Sequence, residues 1–211
     1  KYDMTKVKDL WVINSVAQPR PTLQTYKYQM PGEPGPVDHL YIFDMADGKY
    51  REINIAAYKD QDTDVLRRTM KNADRYDDWR KSVWMGDGDG FYMIRRSRDL
   101  KRADLLRVDV AADSARTIVH ETLNTYVETR NPRFINGGKE LIWWSERNGW
   151  AQLYLYGADG TLKRKITDGA FHVENVLAVD EAAKVIYFQA MGVDKNENPY
   201  NGHVYRIGFD G

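Results

Sequence analysis

His39, His120, His172 and His203 are the bases this chain could offer to acid–base or nucleophilic chemistry. A serine hydrolase needs one such base beside a nucleophile and an orienting acid. Each histidine lies in or next to an alternating apolar stretch, the position of a surface or core-edge residue. Ser145 stands between Trp144 and Glu146 and lacks the flanking glycines of a strained elbow. No Gly-x-Ser-x-Gly occurs anywhere in the sequence. Glu128 with Glu146, or Asp77 with Asp78, could serve as paired carboxylates of a glycosidase. That chemistry needs a fixed separation across a cleft, and with 31 acidic residues chance pairs are common.

Alternating oxygen donors raise a calcium reading in three places. Asp60, Asp62 and Asp64 have the spacing, but Val65 occupies the turn position that requires Gly. Asp87 and Asp89 run into Phe91, and Asp194, Asn196 and Asn198 run into Pro199. All three read as solvated turns, which Asp, Asn and Gly favour for backbone reasons. The absence of Cys removes disulfides, thiolate metal sites and thiol catalysis. Accordingly no catalytic, cofactor-binding or metal-ligating residue is assigned, and no cofactor is expected.

Charge points the same way. Lys and Arg total 31 against 31 Asp and Glu, so neither sign dominates and a nucleic-acid partner is not expected. Arg95, Arg96, Arg98, Lys101 and Arg102 cluster, but Asp99 and Asp104 break the run, which reads as a solvated hairpin loop. No apolar run reaches the length of a membrane span. The chain begins at Lys1 without a signal peptide, which reads as a processed piece.

The elements that must position these residues are strands. Leu40–Phe43, Leu105–Asp109, Leu153–Tyr156 and Val204–Ile207 read alike. Three of them run into Asp-Gly turns at Asp47-Gly48, Asp159-Gly160 and Asp210-Gly211, and the other meets Asp113. Leu105, Leu153 and Val204 are spaced 48 and 51 residues apart, and a second apolar strand precedes each. Several strands per unit at this period predict propeller blades. The fold class is all-β: a partial β-propeller of about four blade-like antiparallel sheets, two complete and two incomplete. The units cover 9–58, 80–121, 131–168 and 172–211, with Asp9–Ser15 a stray prelude. The polar stretch 59–79 is a connection with at most a helical turn around Val65, Leu66 and Met70. Pro31–Pro36 is a loop. Strand alternation predicts that one of Trp143 and Trp144, not both, is buried between sheets.

The run Trp144-Ser145-Glu146-Arg147-Asn148-Gly149-Trp150-Ala151-Gln152-Leu153-Tyr154-Leu155-Tyr156 resembles the propeller of the dipeptidyl peptidase IV family, serine peptidases of the prolyl oligopeptidase clan. Pro19–Leu23, Tyr26–Tyr28 and Met30–Glu33 agree in order, as do Leu105–Asp109 with Ala115–Thr117, and Asn198–Tyr200 with His203–Arg206. The resemblance implies a non-catalytic propeller that gates and positions peptide substrates in an exported, periplasmic or extracellular, peptidase. The partner it implies is a C-terminal α/β-hydrolase domain carrying the nucleophile, and the parent activity is release of N-terminal dipeptides or tripeptides. The family's paired glutamates for the substrate amino terminus have no counterpart, since no Glu-Glu occurs. A family arginine near 126–130 approaches substrate, but the residues around Arg130 do not match well enough to transfer that role. The competing class is a stand-alone scaffold or binding propeller; a third is a propeller glycosidase or lyase. The incomplete outer blades predict self-association, through a terminal face or the His203–Gly208 edge.

Overall fold

The computed structural model describes residues 1–58, 61–66, 84–85 and 89–211. Its regular structure is nearly all antiparallel strand, in a series of separate open sheets. One is five-stranded: Ser114–Thr122, Arg102–Asp109, Gly90–Ser97 and Gln61–Val65 in that spatial order, with Trp84–Met85 also paired to Gly90–Ser97. A four-stranded meander follows, Arg133–Ile135, Glu140–Ser145, Gln152–Gly157 and Leu162–Lys165. The last sheet has three strands, His172–Asp180, Val185–Met191 and Gly202–Gly208. No helix of the described residues is long and apolar enough to cross a membrane.

The four-stranded sheet shows why the sequence folds this way. Glu140–Ser145 and Gln152–Gly157 carry apolar residues at both odd and even positions, so both faces of the pleat seek cover. One face, with Leu141, Trp143, Tyr154 and Tyr156, packs on Tyr92, Ile94, Leu105 and Val119 of the five-stranded sheet. The other, with Ile142, Trp144, Leu153 and Leu155, packs on Val173, Ile186, Phe188 and Ala190 of the three-stranded sheet. A third core joins the five-stranded sheet, through Phe91, Met93, Leu106 and Val108, to Ile53 and Ile55. Trp143 and Trp144 are therefore both buried, at 0% and 4% exposure. The expectation that only one would be is corrected: adjacent residues do face opposite ways, but a sheet lies on each side.

The turns follow their residue types. Gly48, Gly160 and Gly211 all have positive φ, as the Asp-Gly pairs predict. In the five-stranded sheet Asp113 itself takes φ 51°, replacing the missing glycine in the left-handed region that Asp tolerates. Gly160 meets a second constraint: a Cβ there would lie 2.6 Å from the Ile118 carbonyl oxygen of the neighbouring sheet.

The first unit departs from expectation. The stretch 9–58 holds two separate hairpins. Asp9–Asn14 is no stray strand, since it pairs along its length with Thr22–Lys27. Leu40–Phe43 pairs with Tyr50–Ile53, and the short Tyr2–Asp3 with Val37–Asp38. Pro31–Pro36 is a loop, as read. The expected connection also contains a strand: Gln61–Val65 pairs with Gly90–Ser97. Val65 is its one apolar residue and packs on the core of Ile53 and Met93, and backbone pairing holds the strand, helped by Thr63, whose N–H and hydroxyl both donate to Asp38 Oδ2 at 3.0 and 2.6 Å. Val65 is thus extended, and Met70 lies outside the described residues. The only helical turns among the described residues are short 3₁₀ turns at Ala56–Tyr58 and Asn136–Gly138.

Candidate functional site

Where two sheets meet, the apolar core gives way at one end to an arginine laid on an aromatic ring and paired with an acid. Arg147, on the hairpin after Glu140–Ser145, lies 4.4 Å over the Tyr154 ring. Its guanidinium donates to the Tyr156 hydroxyl at 2.6 Å, to Ser145 Oγ at 3.0 Å, and to Glu121 of the five-stranded sheet. Trp143 Nε1 donates to the same Glu121 oxygen at 2.8 Å. Burial works against the Arg147 charge, but the Glu121 carboxylate and the Tyr156 hydroxyl outweigh it and hold its pKa above the usual value. Burial likewise pushes the Tyr154 hydroxyl up.

The next seam repeats the motif. Arg130 pairs with Glu128 and, at 4.0 Å, with Glu174 of the three-stranded sheet, and its guanidinium lies 4.9 Å over the Trp144 ring. Trp144 Nε1 donates to the Val173 carbonyl at 2.6 Å. At the N-terminal seam Arg95 lies 4.7 Å over the Tyr58 ring and donates to Asp104 at 2.5 Å. Arg95 is only 8% exposed and sits within a strand, so the basic cluster is not one solvated loop. The cluster's loop residue Arg98 instead clasps the Met30 and Glu33 carbonyls.

Each seam is tied again at its other end. Asp113 Oδ1 accepts from Asn54 N–H at 3.3 Å, Arg116 donates to the Ala158 and Asp159 carbonyls, and Glu181 Oε2 accepts from Asn136 N–H at 2.7 Å. Arg–acid pairs on rings hold structure well, and Arg130 among them is partly exposed.

The histidines part company. His39 pairs with Glu52 and His203 with Glu197, each at 2.6 Å and partly exposed. His172 is 3.4 Å from Glu174 and stands edge-on to Trp144. His39 also has Asp3 at 3.7 Å from its Nε2, and His120 is hydrogen-bonded on both ring nitrogens, by Asp104 and by Thr122. Ser145 is buried under Arg147, and its hydroxyl oxygen accepts from the Arg147 N–H and guanidinium. Of the paired carboxylates, Glu128 is taken by Arg130, and Asp77 and Asp78 lie outside the described residues. Of the calcium stretches, Asp60 and Asp87 also lie outside them, Asp89 pairs with Arg107 at 3.7 Å, and Asp194 accepts from Asn196 N–H in a local turn. Among the described residues no group of three or more His, Asp or Glu could hold a metal ion. Sequence reading missed Glu121 and Asp104, because their partners lie 9 to 26 residues away, and it missed Thr122, which joins Asp104 only through His120. The one available signal was polar residues inside otherwise apolar strands.

The comparisons with known proteins agree with this architecture. Over 76 residues the chain is 34% identical to dipeptidyl peptidase 4 of Arthroderma otae, and 33% identical to that of Trichophyton equinum. Those matches cover 36% of this chain and 9% of each relative, so the chain spans a small part of the relatives it matches. The structure superposes on dipeptidyl peptidase 4 of Porphyromonas gingivalis with a TM-score of 0.73 at 20% identity, covering 99% of this chain and 27% of that one. A putative dipeptidyl aminopeptidase IV from Bacteroides ovatus gives 0.71 at 18%, covering 97% and 29%. At that identity the structural likeness shows the partial propeller fold alone. The model of the dipeptidyl peptidase IV N-terminal region matches residues 1–211, and the chain belongs to that family.

Proposed function

We propose that this chain is part of the propeller wall of an exported serine peptidase of the dipeptidyl peptidase IV type. In that role it gates access and positions peptide amino termini, while a C-terminal α/β-hydrolase domain carries the nucleophile and releases dipeptides or tripeptides. The observation that carries the reading is the family match along all 211 residues. The stacked open sheets fit a wall, and Arg130, partly exposed beside Trp144 and Glu174, is a side chain such a wall could turn toward substrate. Reading the gene past Gly211 is the direct test. A Gly-x-Ser-x-Gly, Asp and His series supports the peptidase, whereas further blades or a stop codon support a stand-alone scaffold. The 211-residue chain by itself is expected to release no chromophore from Gly-Pro or Ala-Pro nitroanilides above a buffer blank. Turnover abolished by a serine-directed inhibitor would overturn that expectation.

The same reading predicts self-association of the isolated chain. Gly202–Gly208 is the outer strand of its sheet, and Val204 on it is 66% exposed. Unpaired strand edges template further pairing. Light scattering over a concentration series is expected to give a mass above one chain, reduced by Val204→Lys. A monomer at every concentration would contradict it.

A further inference from the structure

Asp104, His120 and Thr122 form a continuous polar relay across two neighbouring strands. Asp104 is 1% exposed and lies between Arg95 and His120 in the strand register. One carboxylate oxygen accepts from Arg95 Nε at 2.5 Å, and the other lies 2.5 Å from His120 Nδ1. A carboxylate offers only lone pairs, so Nδ1 carries a proton, and in the neutral ring Nε2 is then the bare nitrogen. Thr122 Oγ1 lies 2.8 Å from that Nε2, and to the neutral ring its hydroxyl is the donor. The histidine side chain is 55% exposed and Thr122, the last residue of its strand, is exposed, so a reagent can reach the hydroxyl. Arg102 is the register partner of Thr122 on the next strand and is also exposed. Directly paired residues share a face with Cβ atoms about 5 Å apart, within reach of a guanidinium.

Orienting acid, tautomer-fixed base and hydroxyl are the parts of a nucleophilic triad, which is defined by geometry and not by chain order. We propose that Asp104, His120 and Thr122 constitute an acyl-accepting site, in which the Thr122 hydroxyl takes an acyl group from an activated carboxylic ester. Thr122 Oγ1 bonds to the ester carbonyl carbon as the bond to the leaving alkoxide or aryloxide breaks. The hydroxyl proton passes to His120 Nε2 and from there to the leaving group or to water. Arg102 supports the carbonyl oxygen as charge builds on it. Nothing is oxidised or reduced. The site lies on this chain's own outer strand and is independent of any hydrolase domain.

4-Nitrophenyl acetate is the probe, applied to the 211-residue chain, with nitrophenolate release followed over time and the adduct located by peptide mass mapping. Stoichiometric release with the acetyl group on Thr122 is expected. Thr122→Val should lose the label at that position, and Thr122→Ser should keep it. His120→Gln should slow labelling of Thr122 by about 100-fold, the usual worth of a positioned base. Acetylation confined to lysine and tyrosine side chains, or labelling of Thr122 at an unchanged rate in His120→Gln, would overturn the proposal.

Discussion

Replacing Trp143 with alanine is expected to lower the free energy of unfolding by about 4 kcal/mol. The indole has no solvent exposure and fills the space between the five- and four-stranded sheets, against Tyr92, Leu105 and Val119. Truncation leaves a void that rigid strands on both sides cannot close. It also removes the indole N–H from Glu121, a carboxylate that is 5% exposed. Trp143→Phe separates the two effects, since most of the volume stays while the hydrogen bond is lost, at about 1–2 kcal/mol. Urea unfolding followed by far-ultraviolet circular dichroism measures both. A loss below about 1 kcal/mol in the alanine variant would contradict burial between sheets.

Arg147→Met is the second change expected to be severe, at about 3 kcal/mol. Methionine keeps much of the aliphatic contact with Tyr154 but strips Glu121 of its cation. The carboxylate is then left in a buried position with one indole donor. The penalty comes from that unpaired charge more than from the lost attraction, so a double change separates the terms. Glu121→Gln combined with Arg147→Met should recover part of the loss, and the thermodynamic cycle reports the coupling. Additive losses in the double variant would mean that the two groups do not interact across the seam.

The second half of the chain was legible because its signals reinforce one another. Apolar strand runs, Asp-Gly turns and a near-constant period placed strands at Leu105–Asp109, Leu153–Tyr156 and Val204–Ile207, within three residues of the observed Arg102–Asp109, Gln152–Gly157 and Gly202–Gly208. Burial of both tryptophans was also written in Glu140–Ser145 and Gln152–Gly157, since apolar runs without alternation mark strands covered on both faces. Gln61–Val65 was illegible because Gln, Asp and Thr carry no apolar period, and its pairing rests on backbone bonds and Thr63. Arg95 looked like one more basic loop residue, because nothing local tells a strand arginine with a buried acid opposite from a solvated one. The same limit hid His120: its two partners are a cross-strand neighbour and the residue two positions on, and only register brings them together.

The double fastening of each seam has a mechanical consequence. A single tie between two stacked sheets would act as a pivot, about which one sheet could swing on the next. Here Arg147 with Glu121 and Arg116 with the Ala158 and Asp159 carbonyls grip the same pair of sheets at opposite ends of their strands. Arg130 with Glu174 and Glu181 with Asn136 do the same one seam further on. A stack clamped in this way resists both splaying and sliding, and its sheets lose independence. Amide protons in Gly90–Ser97, Glu140–Ser145 and Val185–Met191 should then exchange through one shared opening of the whole stack, not sheet by sheet.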